Sequence, residues 1–254
     1  VCSSDLNYRM KVAIVTAGFP RFTQDFIRVL NQLKGFDTAD LYINLWSSSW
    51  AEDEIQAAAK VNKILPKHIV LKKLRISEQP ERTLPPHDES LSNIDELKWW
   101  YDRRIGQIHC LKLAVDLIDE PYDVVVRVRP DGSLYGDLDI SSLDLVNHEV
   151  IFCSTGMGIA QSEPNDQFFV GTLAGIKFLC DLYLDFDKYM LESCPGWTSD
   201  VHTWALEYII GTYFKLNQKE IYRGSFDHTI NRVGRSAYTT DKHSHVHIAE
   251  DPTA

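Results

Sequence analysis

The sequence lacks the features that mark several large classes of protein. It holds five cysteines, an odd number, and no C-x-x-C pair, so neither a disulfide framework nor a zinc knuckle is expected. No apolar run approaches the roughly 18 residues of a membrane span. No tract of Lys and Arg is present, and the net charge of −10 disfavours nucleic acid and anionic lipid as partners. We therefore expect a cytoplasmic protein with reduced thiols that binds neither nucleic acid nor membrane.

Several motifs of well-known enzyme classes are also missing. The G-x-x-x-x-G-K-[ST] loop does not occur, and only Gly156-Met157-Gly158 approaches a G-x-G-x-x-G fingerprint. A dinucleotide site also expects an acidic residue at the end of the second strand, where Trp46 and Ser47 stand. No G-x-S-x-G elbow is present. These absences argue against a P-loop NTPase, a Rossmann dehydrogenase and a serine hydrolase.

Short apolar runs alternate with helical patterns along the 254 residues. Strands are predicted at 11–17, 40–46, 68–74, 122–128, 149–153 and 220–223. Helices are predicted at 22–33, 51–65, 92–118, 166–184 and 199–216. This alternation is typical of βαβ units around a mostly parallel central sheet. We expect one α/β domain over residues 10–254, with Met10 as the natural start and residues 1–9 non-native or disordered.

The sheet also predicts where a ligand would bind. In open α/β sheets, ligands bind outside the carboxyl ends of the strands, which here means residues 18–21, 47–50, 129–133 and 154–158. Residues 77–92 contain Pro80, Pro85 and Pro86 and few apolar side chains, so they are predicted to form a long surface loop. That loop is either a lid over a site or a plain excursion of the chain.

The end of the strongest predicted strand carries the most informative polar residues. Alternation places Arg127, Arg129 and Asp131 on one side of this strand. Guanidinium groups match phosphate oxygens, and a carboxylate binds Mg²⁺ or Mn²⁺, so the group suits a diphosphate with its cation. The alternative is a structural Arg–Asp pair that closes the strand, with a turn at Pro130 to Gly132.

Three further segments are candidates for binding or chemistry. Asn165, Asp166 and Gln167 stand at a predicted helix start, where Asn or Asp is also an ordinary N-cap. A turn after the first strand that feeds a helix can hold a nucleotide or phosphate; this turn is Gly18-Phe19-Pro20-Arg21. His245 and His247, near the end of the sequence, would face the same way in an extended segment and either ligate a metal or lie in solvent.

With these residues identified, the chain resembles glycosyltransferases of the GT-A type from bacteria and viruses, most of all the WavE-like kind associated with lipopolysaccharide and surface-glycan synthesis. Three segments support the resemblance, and they span most of residues 11–184: the first strand with Gly18 to Arg21, the helix and strand that lead into R-x-R-P-D at Arg127 to Asp131, and Asn165-Asp166-Gln167-Phe168.

The resemblance implies a Rossmann-like GT-A fold, a nucleotide-diphosphate sugar donor, a glycan or other hydroxyl acceptor, and Mn²⁺ or Mg²⁺. Gly18 to Arg21 would hold the nucleotide, and Arg127 and Arg129 the diphosphate. Asp131 would take the place of the D-x-D carboxylate that binds the metal. His245 and His247 lie beyond the segments that support the resemblance, and their spacing alone makes them candidate metal ligands. Asp166 would bind donor hydroxyls or act as base, and Asn165 and Gln167 would bind sugar.

One departure from the family pattern bears on the metal. Arg129 stands two positions before Asp131, where a D-x-D motif has an acidic residue. Asp137 and Asp139 have the D-x-D spacing but lie beyond the turn. Arg127 and Arg129 are therefore an alternative to the cation as stabilisers of the leaving diphosphate.

Two other functions compete with glycosyl transfer. One is a metal-dependent phosphohydrolase that uses Asp131 and the C-terminal histidines. The other is a non-catalytic sugar-binding domain in which tryptophans stack on sugars, the candidates being Trp46, Trp50, Trp99 and Trp100. Glu207 receives no role from the sequence pattern.

Overall fold

The structure, a computed structural model, describes residues 9–20, 22, 24–48, 51–85, 94–155, 164, 166–193 and 206–230. Its helices are α1 (Gln24–Gln32), α2 (Glu54–Ile64), α3 (Ile94–Val115), α4 (Leu173–Asp181), α5 (Phe186–Ser193) and α6 (Leu206–Leu216). Its strands are β1 (Val12–Gly18), β2 (Leu33–Lys34), β3 (Ala39–Trp46), β4 (Ile69–Ser77), β5 (Val124–Arg127), β6 (Gly132–Leu134), β7 (Leu138–Asp139), β8 (Val150–Thr155), β9 (Phe169–Gly171) and β10 (Tyr222–Ile230).

One eight-stranded sheet, in the order β4-β3-β1-β5-β9-β8-β10-β6, organises these elements. It is mostly parallel: β1, β3, β4, β5, β8 and β10 run one way, and β9 and β6 run the other way. From β1 the chain moves outward to β3 and β4 and then returns to β5 on the other side of β1. The strand order therefore reverses between β1 and β5, and at such a switch point the carboxyl ends of the strands open a crevice.

Alternation along the buried strands divides the core into two layers. Ala13 and Val15 of β1 pack towards α3, α4, α5 and α6 on one face of the sheet. Val12 and Ile14 pack towards α1 and α2 on the other face. Because strands covered on both faces need apolar side chains in both directions, β1, β3 and β5 read as continuous apolar runs. These strand predictions are confirmed, as is the α/β class.

The longest helix in the described ranges, α3, has a buried stripe along one side. Leu97, Tyr101, Ile105, Ile108, Leu111 and Val115 are all at most 2 % exposed. Their spacing follows the helical period, so one side of α3 covers the sheet. None of the helices within the described ranges is both long and apolar enough to cross a membrane.

The prediction of one helix over 166–184 is wrong. Phe169–Gly171 forms β9, which lies antiparallel between β5 and β8. The helix begins only at Leu173, where Thr172 is the N-cap and accepts a hydrogen bond from the Gly175 amide at 3.0 Å. The apolar run over 168–173 fits a strand as well as a helix, and pairing with two neighbouring strands decided the outcome.

The first half of the predicted surface loop packs against α3 and Tyr183. Gln79 donates to the carbonyl of Asp102 on α3 at 3.2 Å. Lys98 of α3 donates to the carbonyl of Arg82 at 2.9 Å, and the Arg82 guanidinium lies 4.5 Å from the ring centroid of Tyr183. Residues 86–92, the other half of the segment, lie outside the described residues.

Candidate functional site

The carboxyl ends of β1 and β5 are tied together at the switch point. The Thr16 hydroxyl donates to the carbonyl of Val128 at 2.8 Å, and the Val128 amide donates to the carbonyl of Val15 at 3.0 Å. Gly18 ends β1 with φ of 123°, a conformation that residues with a side chain rarely adopt. The chain therefore turns sharply away from the sheet directly beside the end of β5.

Arg127 is the last residue of β5, and its guanidinium lies wholly inside the protein, at 1 % exposed. It donates to the carbonyls of Val128 at 2.8 Å and Ala17 at 3.4 Å, and its Nε has no acceptor among the described residues. Burial, and then the charge of Arg129, lower the pKa of Arg127 to about 10. It thus keeps its positive charge at neutral pH, and because it is buried it could act on a ligand only through its electric field.

Arg129 and Asp131 form a two-point ion pair at the mouth of the crevice. Arg129 donates from Nε to one carboxylate oxygen at 2.8 Å and from Nη2 to the other at 3.0 Å. Burial opposes the charge of Arg129, but the bond to Asp131 and nearby carboxylates outweigh it and raise the pKa of this arginine. The Arg129 side chain is 17 % exposed against 5 % for Asp131, so the guanidinium is the more accessible partner.

The surroundings of Asp131 do not fit a divalent cation. Both of its oxygens are held by Arg129, and Arg127 adds a second positive charge nearby. Within the part of the chain that the structure describes, no group of three His, Cys, Asp or Glu side chains could hold a metal ion. Asp139 instead accepts bonds from the amide and hydroxyl of Ser141, where it caps a short 3-10 helix.

Asp166 lies in the turn before β9, at the edge of the sheet where β5 ends, and is 5 % exposed. Because the helix that follows begins only at Leu173, Asp166 is not the N-cap that the sequence offered as an alternative. The Gln107 side-chain amide, on α3, donates to Oδ2 of Asp166. Oδ1 of Asp166 has no donor among the described residues.

Glu207, on α6, completes a pair of carboxyl groups with Asp166. The two side chains are within hydrogen-bonding range of each other. Burial, and then the charge of Asp166, raise the pKa of Glu207 from 4.5 to about 7, although Arg104 on α3 opposes the shift. A carboxyl group that titrates near neutral pH can accept or donate a proton under working conditions.

Sequence reasoning missed Gln107, Arg104 and Glu207. Arg104 and Gln107 are three apart on α3 and border its buried stripe, and that position was the one signal available for them. A lone glutamate at the start of α6 gives no such signal.

The remaining predicted site residues divide between described and undescribed parts of the chain. Pro20 is buried and Phe19 is 44 % exposed, both directly after Gly18, and Gln167 is half-buried beside Asp166. Four predicted site residues lie outside the described residues: Arg21, Asn165, His245 and His247.

The tryptophans proposed to stack on sugars are dispersed. Trp46 is buried in the core, whereas Trp99 on α3 is 45 % exposed. The Arg103 guanidinium lies 4.2 Å from the ring centroid of Trp99, and Trp100 packs edge-on against Trp99. Trp50 lies outside the described residues.

No model of a known protein family and no curated protein matches the sequence.

Proposed function

We propose that the protein is a glycosyltransferase that moves a sugar from a nucleotide-diphosphate donor to a hydroxyl group of a glycan or related acceptor. The observation that supports this most is the meeting of two kinds of group at the switch point. Arg127 and Arg129 lie at the end of β5 beside the end of β1, and the carboxyl groups of buried Asp166 and half-buried Glu207 lie near enough to interact with Arg129. Glycosyl transfer needs both, because the diphosphate gains negative charge as it leaves while a hydroxyl group loses its proton.

The donor diphosphate would bind at the mouth of the crevice. Arg129 offers a guanidinium that is mostly buried but still 17 % exposed, and Arg127 adds a buried positive charge whose field is weakly screened. The turn at Gly18 brings backbone close to the same place, where the nucleotide would lie. Charge that builds up on the leaving diphosphate would then be stabilised by groups already in position.

The arginines also bear on the metal question. Since Asp131 is engaged by Arg129 at both oxygens, we propose that Arg127 and Arg129 do the work that Mn²⁺ or Mg²⁺ would do on the diphosphate. Asp131 then holds Arg129 in place for the donor.

The GT-A class, a cytoplasmic location and a role in surface-glycan synthesis belong to the same proposal. The half-sheet β4-β3-β1-β5 has the strand order of nucleotide-binding α/β proteins. The R-x-R-P-D segment follows the end of β5, at the switch point. This arrangement supports the resemblance that the sequence shows.

The test is binding of UDP-, GDP-, CDP- and dTDP-sugars, each with and without Mn²⁺, by thermal shift and by calorimetry. A ligand at 100 times its dissociation constant stabilises by about 2.7 kcal/mol, which is on the order of 5–10 °C for a chain of this size. We expect one nucleotide class to give such a shift without Mn²⁺.

The variant Arg129→Gln/Asp131→Asn replaces the ion pair by a neutral pair and should abolish the shift. Arg28→Gln removes an exposed arginine from α1, on the other face of the sheet, and is the matched control that should retain it. Folded protein that binds no donor at saturation would overturn the proposal. Release of phosphate from simple esters would favour the phosphohydrolase, and donor binding without transfer to any acceptor would favour the binding domain.

A further inference from the structure

The contact between Asp166 and Glu207 joins two distant parts of the fold. Asp166 precedes β9 at the edge of the crevice, and Glu207 stands in the first turn of α6. Asp166 is buried and Glu207 is half-buried, and Gln107 on a third element, α3, donates a hydrogen bond to one oxygen of Asp166. The pair is thus held by the tertiary structure rather than by a flexible surface.

The hydrogen bonding of the pair is complete only if it holds a proton. Oδ2 of Asp166 accepts from Gln107, but Oδ1 is buried and has no donor among the described residues. Buried polar atoms are rarely left without a partner. A proton between Glu207 and Asp166 supplies the missing donor, and it removes the repulsion between two carboxylates at close range.

We infer that Asp166 and Glu207 act as one unit that holds a single shared proton at rest, and that after losing it this pair is the base that takes the proton of the acceptor hydroxyl. The inference rests on the proposed function. It adds Glu207 as a catalytic residue and Gln107 as a residue that positions Asp166.

The charges around the pair allow both of its states. Arg129 acts on both carboxyl groups, Arg127 on Asp166, and Arg104 on Glu207. From α5, which packs against α6, the ionisable side chains are Asp187, bonded to the Tyr101 hydroxyl, Lys188, beside the Tyr189 ring, and Glu192, exposed. Three guanidinium groups therefore act through their charge on a pair that carries one negative charge with the proton and two without it.

The transfer step balances with these groups alone. The acceptor oxygen forms a bond to the anomeric carbon of the donor sugar, while the bond from that carbon to the diphosphate oxygen breaks. The leaving diphosphate takes the bonding electrons and faces Arg129. The acceptor O–H proton moves to the ionised pair, which returns to its singly protonated state and releases that proton to solvent before the next turnover.

The first experiment needs no substrate. Urea unfolding is measured between pH 4 and 8 for the wild type and Glu207→Gln. The control is Glu192→Gln, which changes an exposed residue of α5. The pKa of Glu207 is raised in the folded state, so protonated Glu207 stabilises the fold. This stabilisation is fully present below pH 4.5 and is lost as the pH rises to about 7. Relative to Glu207→Gln, the wild-type unfolding equilibrium should therefore shift towards the unfolded state by up to tenfold per pH unit in this window and level off above it.

A second variant tests whether the raised pKa of Glu207 comes from its pairing with Asp166 or from burial alone. Asp166→Asn removes the neighbouring charge but leaves Glu207 half-buried, so the pH window should move to lower pH. In infrared spectra, the band of a protonated carboxyl group should fade near pH 7 in the wild type and be absent from Glu207→Gln. An unchanged window in Asp166→Asn, or the lack of this band in the wild type, would overturn the inference even if a sugar nucleotide binds.

The activity arm tests the catalytic role. With the donor found above, kcat/KM should rise tenfold per pH unit up to about pH 7 and then level off. Glu207→Gln should flatten this profile and lower kcat by roughly 10²–10⁴-fold, with donor affinity by calorimetry within about twofold. A wild-type profile retained in Glu207→Gln would overturn the role of Glu207. A shared proton in a protein that binds no donor would overturn the catalytic role together with the proposed function.

Discussion

Replacing Asp131 with Asn tests whether this residue is held as an ion-pair partner. Asp131 is 4 % exposed and receives two hydrogen bonds from Arg129, while Arg127 adds a second positive charge close by. Asn is nearly isosteric and keeps one acceptor, so the substitution removes mainly the charge. Breaking a buried pair in this way costs about 3–5 kcal/mol, because the remaining charge is left uncompensated. For a chain of this size, that corresponds to a fall in Tm on the order of 6–20 °C.

The assay is urea unfolding of the wild type, Asp131→Asn and Arg129→Gln/Asp131→Asn. The double variant should regain most of the loss, because it removes both charges together. The control is Asp25→Asn, which breaks the Asp25–Arg28 pair on α1, where Arg28 is 53 % exposed and the N–O distance is also 2.8 Å. That change should cost at most about 1 kcal/mol.

A loss below about 1 kcal/mol for Asp131→Asn, or a double variant no more stable than the single one, would refute this reasoning. Stabilisation of the wild type by Mn²⁺ that disappears in Asp131→Asn would show that Asp131 is a metal ligand instead.

Four further changes probe separate features of the structure. Gly18→Ala should lower the free energy of unfolding by about 1–3 kcal/mol because φ is 123° there. No atom lies within 4 Å of an added Cβ, so a steric clash would not explain a loss. An unchanged stability would mean that a side chain does not strain the backbone at this position. Thr172→Ala should cost about 1 kcal/mol in urea unfolding through loss of the α4 cap, with Thr172→Ser near wild type; equal losses in both variants would contradict the cap. Arg127→Met loses two hydrogen bonds to carbonyls but also removes a buried charge, so the free energy of unfolding should change by less than about 2 kcal/mol. Donor affinity in calorimetry should fall at least tenfold. Unchanged affinity would show that Arg127 does not belong to the site. Burial raises the pKa of Cys110 to about 12, so mass spectrometry should find it unmodified after iodoacetamide treatment of native protein at pH 8 and modified in urea; rapid native labelling would contradict its burial.

Local pattern predicted the parts of the fold that depend on neighbours in sequence. The buried strands β1, β3 and β5 follow from continuous apolar runs, and α3 follows from a stripe at helical spacing. Arg129 and Asp131 were expected to lie together, and they do, because two residues at one strand end cannot separate far. The apolar run at Phe169–Gly171 was assigned to a helix because its period is ambiguous, and only its place between β5 and β8 made it a strand.

The sequence by itself thus determined the α/β class, the buried strands and the arginine-rich end of β5, since each depends on residues a few positions apart. Only the tertiary structure brought Glu207 of α6 and Gln107 of α3 to Asp166. It also decided that Asp131 is occupied by Arg129 and that Arg127 lies wholly inside the protein. Burial and the distances between charges set the pKa of a side chain, and both arise only when remote segments pack together.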